Sequence, residues 1–258
     1  MKTQNKPAQL VELGNTGIKV SYLAIGTGTE GYSHSSRQTR KDPNWLTEAI
    51  IDSYDLGISF WDLADLYGSH PFAKKALKKF NRNDIVIMTK TQATNYKGCK
   101  KDIDLFLKEI GTDYLDMVLL HCKIAGDWNV AERGAMDALS EAKAAGKIRA
   151  VGISAHSYQA LETAVNEPWV EVLLARYNYD GAHMDGEPAK IEKIIRAARE
   201  NGQGTIAMKV LGEGSLSSDP EKAIRFVAET DCVDAMTIGY MSHDEMRQCA
   251  GIVDRFRK

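Results

Sequence analysis

The chain has 258 residues, of which 43% are hydrophobic and 26% are charged, and its formal net charge is −2. This is the composition of a globular protein with enough apolar material for a sizeable core. A charge so close to zero argues against nucleic acid or an anionic membrane as the main partner, and no stretch approaches the roughly 20 apolar residues of a transmembrane helix.

The N-terminal segment and the cysteines favour a cytoplasmic protein. The opening MKTQNKPAQL lacks the apolar core of a signal peptide. The cysteines are far apart and form no CxxC pair, which predicts reduced thiols rather than a disulfide or zinc framework. They are Cys99, Cys122, Cys232 and Cys249. We therefore expect a cytoplasmic protein with no metal site.

The first recognisable element is a β-hairpin. Two short apolar arms, Leu10–Leu13 and Ile18–Val20, flank a turn made of Gly14-Asn15-Thr16-Gly17. Apolar arms on either side of a glycine-containing turn are typical of a hairpin.

After the hairpin one pattern repeats: a short apolar run, a polar turn and a helical segment. Apolar runs of this kind predict parallel strands covered by helices, and apolar residues at helical spacing between them predict amphipathic helices. The predicted strands are Tyr22–Gly28, Ser59–Ala64, Ile85–Thr91, Leu115–Cys122, Ile148–His156, Val170–Tyr177, Thr205–Gly212 and Val233–Tyr240. The predicted helices are Asn44–Leu56, Phe72–Phe80, Lys100–Ile110, Val130–Ala145, Tyr158–Asn166, Ala189–Glu200, Pro220–Glu229 and His243–Arg257.

Eight strands in strict alternation with eight helices predict an α/β protein, a single (β/α)8 TIM barrel. A doubly wound open sheet rarely uses eight consecutive units without a long crossover. No linker, charge block or low-complexity tract interrupts the chain, so residues 1–258 are expected to form one domain. On such a barrel the N-terminal hairpin would cap the bottom.

A glycine motif follows the first predicted strand. Gly26-Thr27-Gly28-Thr29-Glu30-Gly31 matches G-x-G-x-x-G, but a dinucleotide fingerprint also requires a helix that opens within the motif. Here the helical pattern resumes only near Asn44. The motif therefore predicts a glycine loop at the mouth of the barrel and not a Rossmann fold.

Polar residues at strand ends suggest the chemistry, because TIM barrels carry their active sites there. Three neighbouring predicted strands deliver Asp62, Lys90 and His121, and Tyr67 follows Asp62 after one short loop. A nearby lysine cation favours the ionised form of a tyrosine, whose pKa is otherwise near 10, while a carboxylate keeps the lysine charged and oriented. A neutral histidine can donate a hydrogen bond to a carbonyl oxygen. Together these groups could protonate an alkoxide as hydride arrives from a nicotinamide.

These residues resemble the aldo-keto reductases. Asp62-x-Ala64-x-x-Tyr67-Gly68, then Lys90, then His121 follow that family's order, and the resemblance covers almost the whole chain. Further matches are Gly146-Lys147-Ile148-Arg149-x-Val151-Gly152-x-Ser154, Tyr177-Asn178, Leu211-Gly212-x-Gly214, Leu13-Gly14-x-Thr16-Gly17-x-x-Val20-Ser21 and Gly26-Thr27.

The resemblance implies an NAD(P)H-dependent oxidoreductase that reduces the carbonyl of an aldehyde or ketone. Its catalytic tetrad would be Asp62, Tyr67, Lys90 and His121, with Tyr67 as the general acid. Its small-molecule substrate would carry the carbonyl, and the protein would be a monomer or a weak homo-oligomer. The implied cofactor contacts are Gly26, Thr27, Asp62, Ser154, Asn178, Met208, Lys209, Leu211, Gly212, Gly239, Ser242 and Glu245.

Several positions depart from the family's pattern. The usual Ser-Asn pair that holds the carboxamide is Ser154-Ala155, so one hydrogen bond is lost or is supplied by His156. The aromatic that often stacks on nicotinamide is Met208. The arginine that often binds the 2′-phosphate of NADP aligns with Glu245, whose carboxylate would repel a phosphate, although Lys209 or Arg247 could compensate. Because most members of the family favour NADPH, the resemblance implies a slight preference for NADP(H) over NAD(H) in spite of Glu245. The last predicted helix leaves no C-terminal loop, which implies a wide pocket mouth.

Three other functions fit parts of the pattern. A cofactor-binding regulatory or sensor protein with little turnover would explain the departures. A Schiff-base aldolase could use Lys90 or Lys209, but it leaves Tyr67 and His121 without a role. A glycosidase with Asp62 and Asp65 as paired carboxylates leaves Lys90 unexplained. The remaining histidines are expected to be mostly solvated; they are His34, His70, His156, His183 and His243.

Overall fold

The computed structural model describes residues 10–256, and within them strands and helices alternate as the sequence predicts. The strands are β1 Leu10–Glu12, β2 Lys19–Ser21, β3 Leu23–Gly26, β4 Phe60–Asp62, β5 Val86–Thr91, β6 Leu115–Lys123, β7 Ile148–Ala155, β8 Val172–Arg176, β9 Gly204–Met208 and β10 Ala235–Gly239. The helices are α1 Trp45–Asp55, α2 His70–Leu77, α3 Tyr96–Ile110, α4 Trp128–Ala131, α5 Arg133–Ala144, α6 Tyr158–Asn166, α7 Pro188–Glu200, α8 Pro220–Glu229 and α9 His243–Phe256.

Strands β3 to β10 form a closed parallel barrel, because β10 pairs with both β9 and β3. Each of the other strands pairs in parallel with the next along the chain. The predicted (β/α)8 barrel is therefore confirmed. The predicted domain 1–258 extends beyond the described residues at both ends and stays a prediction.

The N-terminal hairpin closes the bottom of the barrel. β1 and β2 pair antiparallel, with Val11 opposite Val20. The Gly14 amide donates to the Asp234 carboxylate (3.1 Å), just before β10 begins, and the Asn15 amide donates to the Gly202 carbonyl (2.8 Å), just before β9 begins. These contacts lie at the N-terminal ends of barrel strands, so the predicted hairpin and its position are confirmed.

The side chains of the strands alternate between two hydrophobic cores. On β6, Met117 and Leu119 pack inside the barrel, whereas Val118 and Leu120 pack outside against the helices. Leu13, Ile18 and Val20 of the hairpin fill the lower part of the interior. This period of two fixes which residues face the barrel axis at the top of each strand.

Some predicted boundaries are wrong. The helix predicted at Val130–Ala145 is two helices, α4 and α5, divided at Glu132. The strand predicted to reach Gly212 ends at Met208, because Lys209 adopts a left-handed backbone (φ 58°) that no strand continues through. The last helix was predicted to reach Arg257, which lies outside the described residues. No helix within residues 10–256 is long and apolar enough to cross a membrane.

Candidate active site

Four polar side chains meet at the top of the barrel. Asp62 ends β4, Lys90 lies near the end of β5 and His121 near the end of β6. Each is two residues beyond a side chain that packs inside the barrel, namely Phe60, Met88 and Leu119. The alternation of strand side chains therefore directs all three toward the barrel axis. Tyr67 comes from the short 3₁₀ helix Asp65–Tyr67, which follows β4.

Asp62 and Lys90 form a buried ion pair. Their side chains are only 8% and 1% exposed. Lys90 Nζ also donates to the Leu63 carbonyl (2.9 Å), and the second Asp62 oxygen accepts from Thr237 Oγ1 (2.8 Å). Thr27 donates its hydroxyl and its amide to the Asp62 carbonyl (2.9 and 3.2 Å). Hydrogen bonds with neighbouring residues thus fix both partners of the ion pair. Removal of one partner would leave an uncompensated charge in the interior.

Tyr67 and His121 form the upper half of the cluster. Tyr67 Oη lies 3.2 Å from His121 Nε2, and the two rings pack edge-on with their centroids 5.5 Å apart. Lys90 Nζ is 4.8 Å from the centre of the Tyr67 ring. The other imidazole nitrogen, Nδ1, lies 3.5 Å from Gln92 Nε2. Because an amide nitrogen can only donate, this contact favours the tautomer with the proton on Nε2 of His121.

The ionisation of the two rings follows from their burial. Burial raises the pKa of Tyr67 well above 10, and the Asp62 carboxylate adds to this. The expected shift of the Tyr67 pKa toward the phenolate is therefore wrong, because burial outweighs the nearby lysine cation. Burial lowers the pKa of His121 well below 6.5, and Lys90 is the next cause. At neutral pH the site holds a protonated phenol and the neutral imidazole that the sequence predicts.

The glycine motif packs directly on Tyr67. A Cβ atom at Gly28 would lie 2.5 Å from the Tyr67 ring, and one at Gly31 would clash with the same ring. The next helix begins only at Trp45. The motif is thus a loop at the barrel mouth, as predicted, and its glycines let the backbone approach the tyrosine.

A groove of about 490 Å³ runs from Asp62 and Tyr67 toward α9. This volume is in the range of sites for small organic ligands. The predicted cofactor residues that line it are Gly26, Asp62, Met208, Lys209, Leu211, Gly239 and Glu245. The groove therefore links two of the four catalytic candidates, Asp62 and Tyr67, with the ends of β9 and β10, whereas Lys90 and His121 do not line it.

The sequence analysis did not identify the other residues that line the groove. Thr29, Glu30 and Arg37 come from the loop after β3, and Glu213 and Gln248 come from the far end of the groove. Further missed residues are Gly28, Val210, Gly214, Ser217, Pro220, Thr237, Ile238, Tyr240, Met241 and Cys249. The one available signal was the glycine motif itself, which marks the loop that carries Arg37.

Five predicted cofactor residues do not line the groove. They are Thr27, Ser154, Asn178, Gly212 and Ser242. Asn178 is fully buried, and its amide donates to the carbonyls of Ala182 (2.9 Å) and Lys209 (3.0 Å). Its oxygen accepts two backbone amides, so all its hydrogen-bonding capacity is used within the chain. Asn178 thus holds the loop after β9 in place.

The charged residues near the predicted phosphate site have internal partners. Glu245 accepts a hydrogen bond from the Met241 amide (2.7 Å), and its own amide donates to Ser242 Oγ (3.1 Å). Both bonds stabilise the start of α9. Lys209 pairs with Glu213, and Arg247 pairs with Asp244 outside the groove.

His156 contacts a cysteine within the chain. Its Nε2 lies 3.6 Å from Cys122 Sγ, where Cys122 has a left-handed backbone (φ 56°). Burial lowers the pKa of His156 to about 4. The expectation that the remaining histidines are mostly solvated is also wrong for His70, which is 1% exposed and begins α2.

Comparison with known proteins identifies the family. Residues 23–249 match the model of the Aldo/keto reductase family. The chain belongs to this family. The predicted family is therefore confirmed. At the level of the family, the predicted enzyme class, oxidoreductase, is confirmed as well.

The relatives share moderate identity with the chain. The aldo-keto reductase YhdN of Bacillus subtilis (strain 168) is 25% identical over 223 residues, which are 81% of this chain and 64% of that protein. The chain therefore spans less than two thirds of that relative's length. The structure of PA4992 from Pseudomonas aeruginosa covers 100% of both chains with a TM-score of 0.80 at 20% identity, which is a likeness of fold.

Two further relatives differ in cofactor. An NADH-specific methylglyoxal reductase of Escherichia coli (strain K12) is 21% identical over 230 residues, 80% of this chain and 68% of that protein. An NADPH-dependent alpha-keto amide reductase of Saccharomyces cerevisiae is 36% identical over 113 residues, 42% of this chain and 36% of that protein. The family relationship alone therefore leaves the choice of nicotinamide cofactor open.

Proposed function

We propose that this protein reduces the carbonyl of a small aldehyde or ketone to an alcohol, with NAD(P)H as the hydride donor. The observation that carries the proposal is the Tyr67–His121 pair, 3.2 Å apart, whose tyrosine lines a ligand-sized groove. Two proton-bearing groups that converge on one point can bind a single carbonyl oxygen as negative charge develops on it.

In this proposal Tyr67 is the general acid. Its raised pKa keeps the phenol protonated until an alkoxide forms beside it. His121, neutral and with its proton on Nε2, donates a hydrogen bond that orients the substrate oxygen. Lys90 lies against the Tyr67 ring and stabilises the phenolate that proton transfer leaves behind. Asp62 holds Lys90 charged and in place.

The groove has the features that a nicotinamide cofactor requires. Its wall at Gly26 and Gly239 is bare backbone, and a Cβ atom at Gly26 would lie 3.0 Å from the Ile238 carbonyl carbon. The strand ends at Gly26 and Gly239 therefore line the groove without side chains, so a ligand can approach the backbone there. The residues that would hold the cofactor are Gly26, Met208, Lys209, Leu211 and Gly239, and when bound it supplies the hydride.

The choice between NADPH and NADH depends on the outer end of the groove. Arg37 is the guanidinium among the described lining residues, and it pairs with Glu30 (3.4 Å). Glu245 lines the same groove with its charge directed at the Met241 amide. We propose that NADP(H) is slightly preferred, since Arg37 offers a phosphate partner that offsets Glu245.

The rate of cofactor oxidation by the Tyr67→Phe variant, compared with that of wild type, tests the proposal. The absorbance of NADPH or NADH is followed with a reactive aldehyde, with Tyr32→Phe as the control because Tyr32 is a 74% exposed tyrosine of the neighbouring loop. Tyr67→Phe is expected to lower kcat by about 10²–10⁴, with the cofactor Kd nearly unchanged, while Tyr32→Phe behaves as wild type. Retention of more than about a tenth of kcat would refute the role of Tyr67. Cofactor binding without turnover in wild type would favour the sensor alternative.

A further inference from the structure

A second cluster of ionisable side chains lies behind the tyrosine, outside the groove. We call Asp65, His70 and Glu109, together with His34, the His70 cluster. They come from four segments: His34 from the loop after β3, Asp65 from the 3₁₀ helix, His70 from the start of α2 and Glu109 from α3. None of the four lines the groove.

The ligand atoms of three members of this cluster are close enough to share one ion, and His34 lies beside one of the three. One atom each from Asp65, His70 and Glu109 lie within 4.8 Å of one another. His70 Nδ1 is 2.9 Å from Glu109 Oε2, and His34 Nδ1 is 3.3 Å from Asp65 Oδ1. Ligands around a tetrahedral zinc ion are about 3.4 Å apart, given bonds of about 2.0–2.1 Å. The separations among Asp65, His70 and Glu109 therefore have to contract by at most about 1.4 Å.

The two carboxylates have no fixed cation. Within residues 10–256, the ion-pair partner of Asp65 is His34 and that of Glu109 is His70, with neither paired to a lysine or arginine. The side chains are partly withdrawn from water, 27% exposed for Asp65 and 33% for Glu109. Two carboxylates that converge on histidines leave a negative site that a bound cation would neutralise.

The second nitrogen of His70 is anchored as in metal sites. His70 is 1% exposed, and its Nε2 lies 2.8 Å from the hydroxyl of Thr89, which is fully buried. A hydroxyl can either donate or accept, so Thr89 is compatible with both imidazole tautomers. When Nε2 donates to Thr89, the Nδ1 lone pair points toward Glu109 and is free for a metal. Metal-bound histidines are held by such a bond from the other nitrogen.

We propose that the His70 cluster binds one divalent transition-metal ion, with Zn²⁺ as the representative. Two imidazoles and two carboxylates are a ligand set suited to zinc, since imidazole selects against Mg²⁺ and Ca²⁺. The expectation of no metal site rested on the cysteines, which take no part in this cluster. The proposal does not depend on the proposed reductase activity.

The ion would tie together the elements that position Tyr67. Asp65 begins the 3₁₀ helix that ends at Tyr67, and His34 belongs to the loop whose Gly28 and Gly31 pack on the tyrosine ring. Metal binding would fix both segments to α2 and α3. We therefore expect zinc to stabilise the folded protein and to hold the loop against Tyr67.

Competition between the whole protein and a chromophoric chelator for ZnCl₂ tests the site. Wild type is expected to bind one equivalent. Glu109→Gln keeps the size of the side chain and a hydrogen-bond acceptor for His70, and His34→Ala changes an exposed side chain, so both variants are expected to fold. Each is expected to weaken binding at least about tenfold. Zinc should raise the Tm of wild type and leave that of Glu109→Gln nearly unchanged.

Two controls identify where the zinc binds. Asp104→Asn removes an exposed carboxylate from the same helix, α3, and is expected to bind zinc as wild type does. Cys122→Ser removes the thiol beside His156, another histidine pair that could take zinc, and is also expected to bind normally. The proposal is overturned if wild type binds no zinc, if Glu109→Gln binds as tightly as wild type, or if Cys122→Ser abolishes binding.

Discussion

Replacement of His156 by glutamine is expected to remove part of the acid sensitivity of the fold. Burial lowers the pKa of His156 to about 4 in the folded protein, and Arg176 and Lys209 are the next causes. In the unfolded chain a histidine titrates near 6.5. Below pH 6.5 the unfolded chain therefore gains a proton that the folded protein does not, and stability falls as the pH drops from about 6.5 toward 4.

The size of the effect follows from the two pKa values. The difference between 6.5 and about 4 is equivalent to about 3 kcal/mol, at about 1.4 kcal/mol for each pH unit. At pH 5 the unfolded chain is almost fully protonated at this position and the folded chain is almost fully neutral. The loss through His156 alone at pH 5 is then about 2 kcal/mol relative to neutral pH.

Urea unfolding at pH 7.5 and pH 5.0 measures this loss. Wild type is expected to lose about 2 kcal/mol more than His156→Gln between the two conditions. His183→Gln is the control, because it removes an imidazole that is 51% exposed. Titrating groups other than His156 are present in wild type and in His156→Gln, so their contributions cancel, except that of His121, whose charge is coupled to the charge of His156. Equal losses in wild type and His156→Gln would refute the reasoning, since they would mean that His156 is as easily protonated in the folded state as in the unfolded state.

Two further predictions concern the ion pair and the cofactor. Lys90→Met is expected to cost about 3–5 kcal/mol in chemical denaturation, because it leaves the Asp62 charge buried and unpaired. The double variant with Asp62→Asn should recover part of this loss, and no recovery would contradict the ion-pair argument. Glu245→Gln keeps an acceptor for the Met241 amide but removes a charge, so fluorescence titration should show NADPH bound about fivefold more tightly (about 1 kcal/mol) with NADH unchanged. Arg37→Ala should weaken NADPH binding selectively; equal effects on both cofactors would place these residues away from the phosphate.

The fold and three of the four catalytic candidates could be predicted because they depend on regular periodicities. Apolar strands between amphipathic helices require a covered parallel sheet, and eight repeats close it. The same period of two that places Phe60 inside the barrel also places Asp62 toward the axis, two residues further on. Lys90 and His121 follow Met88 and Leu119 in the same way. Strand position alone therefore brings these groups together.

The groove could be predicted only in part, because loops form its walls. The chain turns through left-handed conformations at Cys122 and Lys209, two residue types that give no signal for such a backbone. Asn178 matches the family's pattern, but its bonds to Ala182 and Lys209 become visible only once the loop after β9 has a shape. Arg37 reaches the groove from a loop without regular structure, so no periodicity relates it to the strand ends.

Tyr67 shows how the two kinds of information combine. The sequence shows how far Tyr67 lies from Asp62 along the chain. Its ring, however, is positioned by contacts that the two-residue periodicity of a strand does not describe. Gly28 and Gly31 leave room for the ring on one side, and His121 lies edge-on to it on another. The three inward-facing strand residues are fixed by the barrel itself, whereas the proposed proton donor is fixed by two loops packed against each other. Substitutions in those loops therefore act on the placement of the acid, while substitutions in the strands act on the fold and the site together.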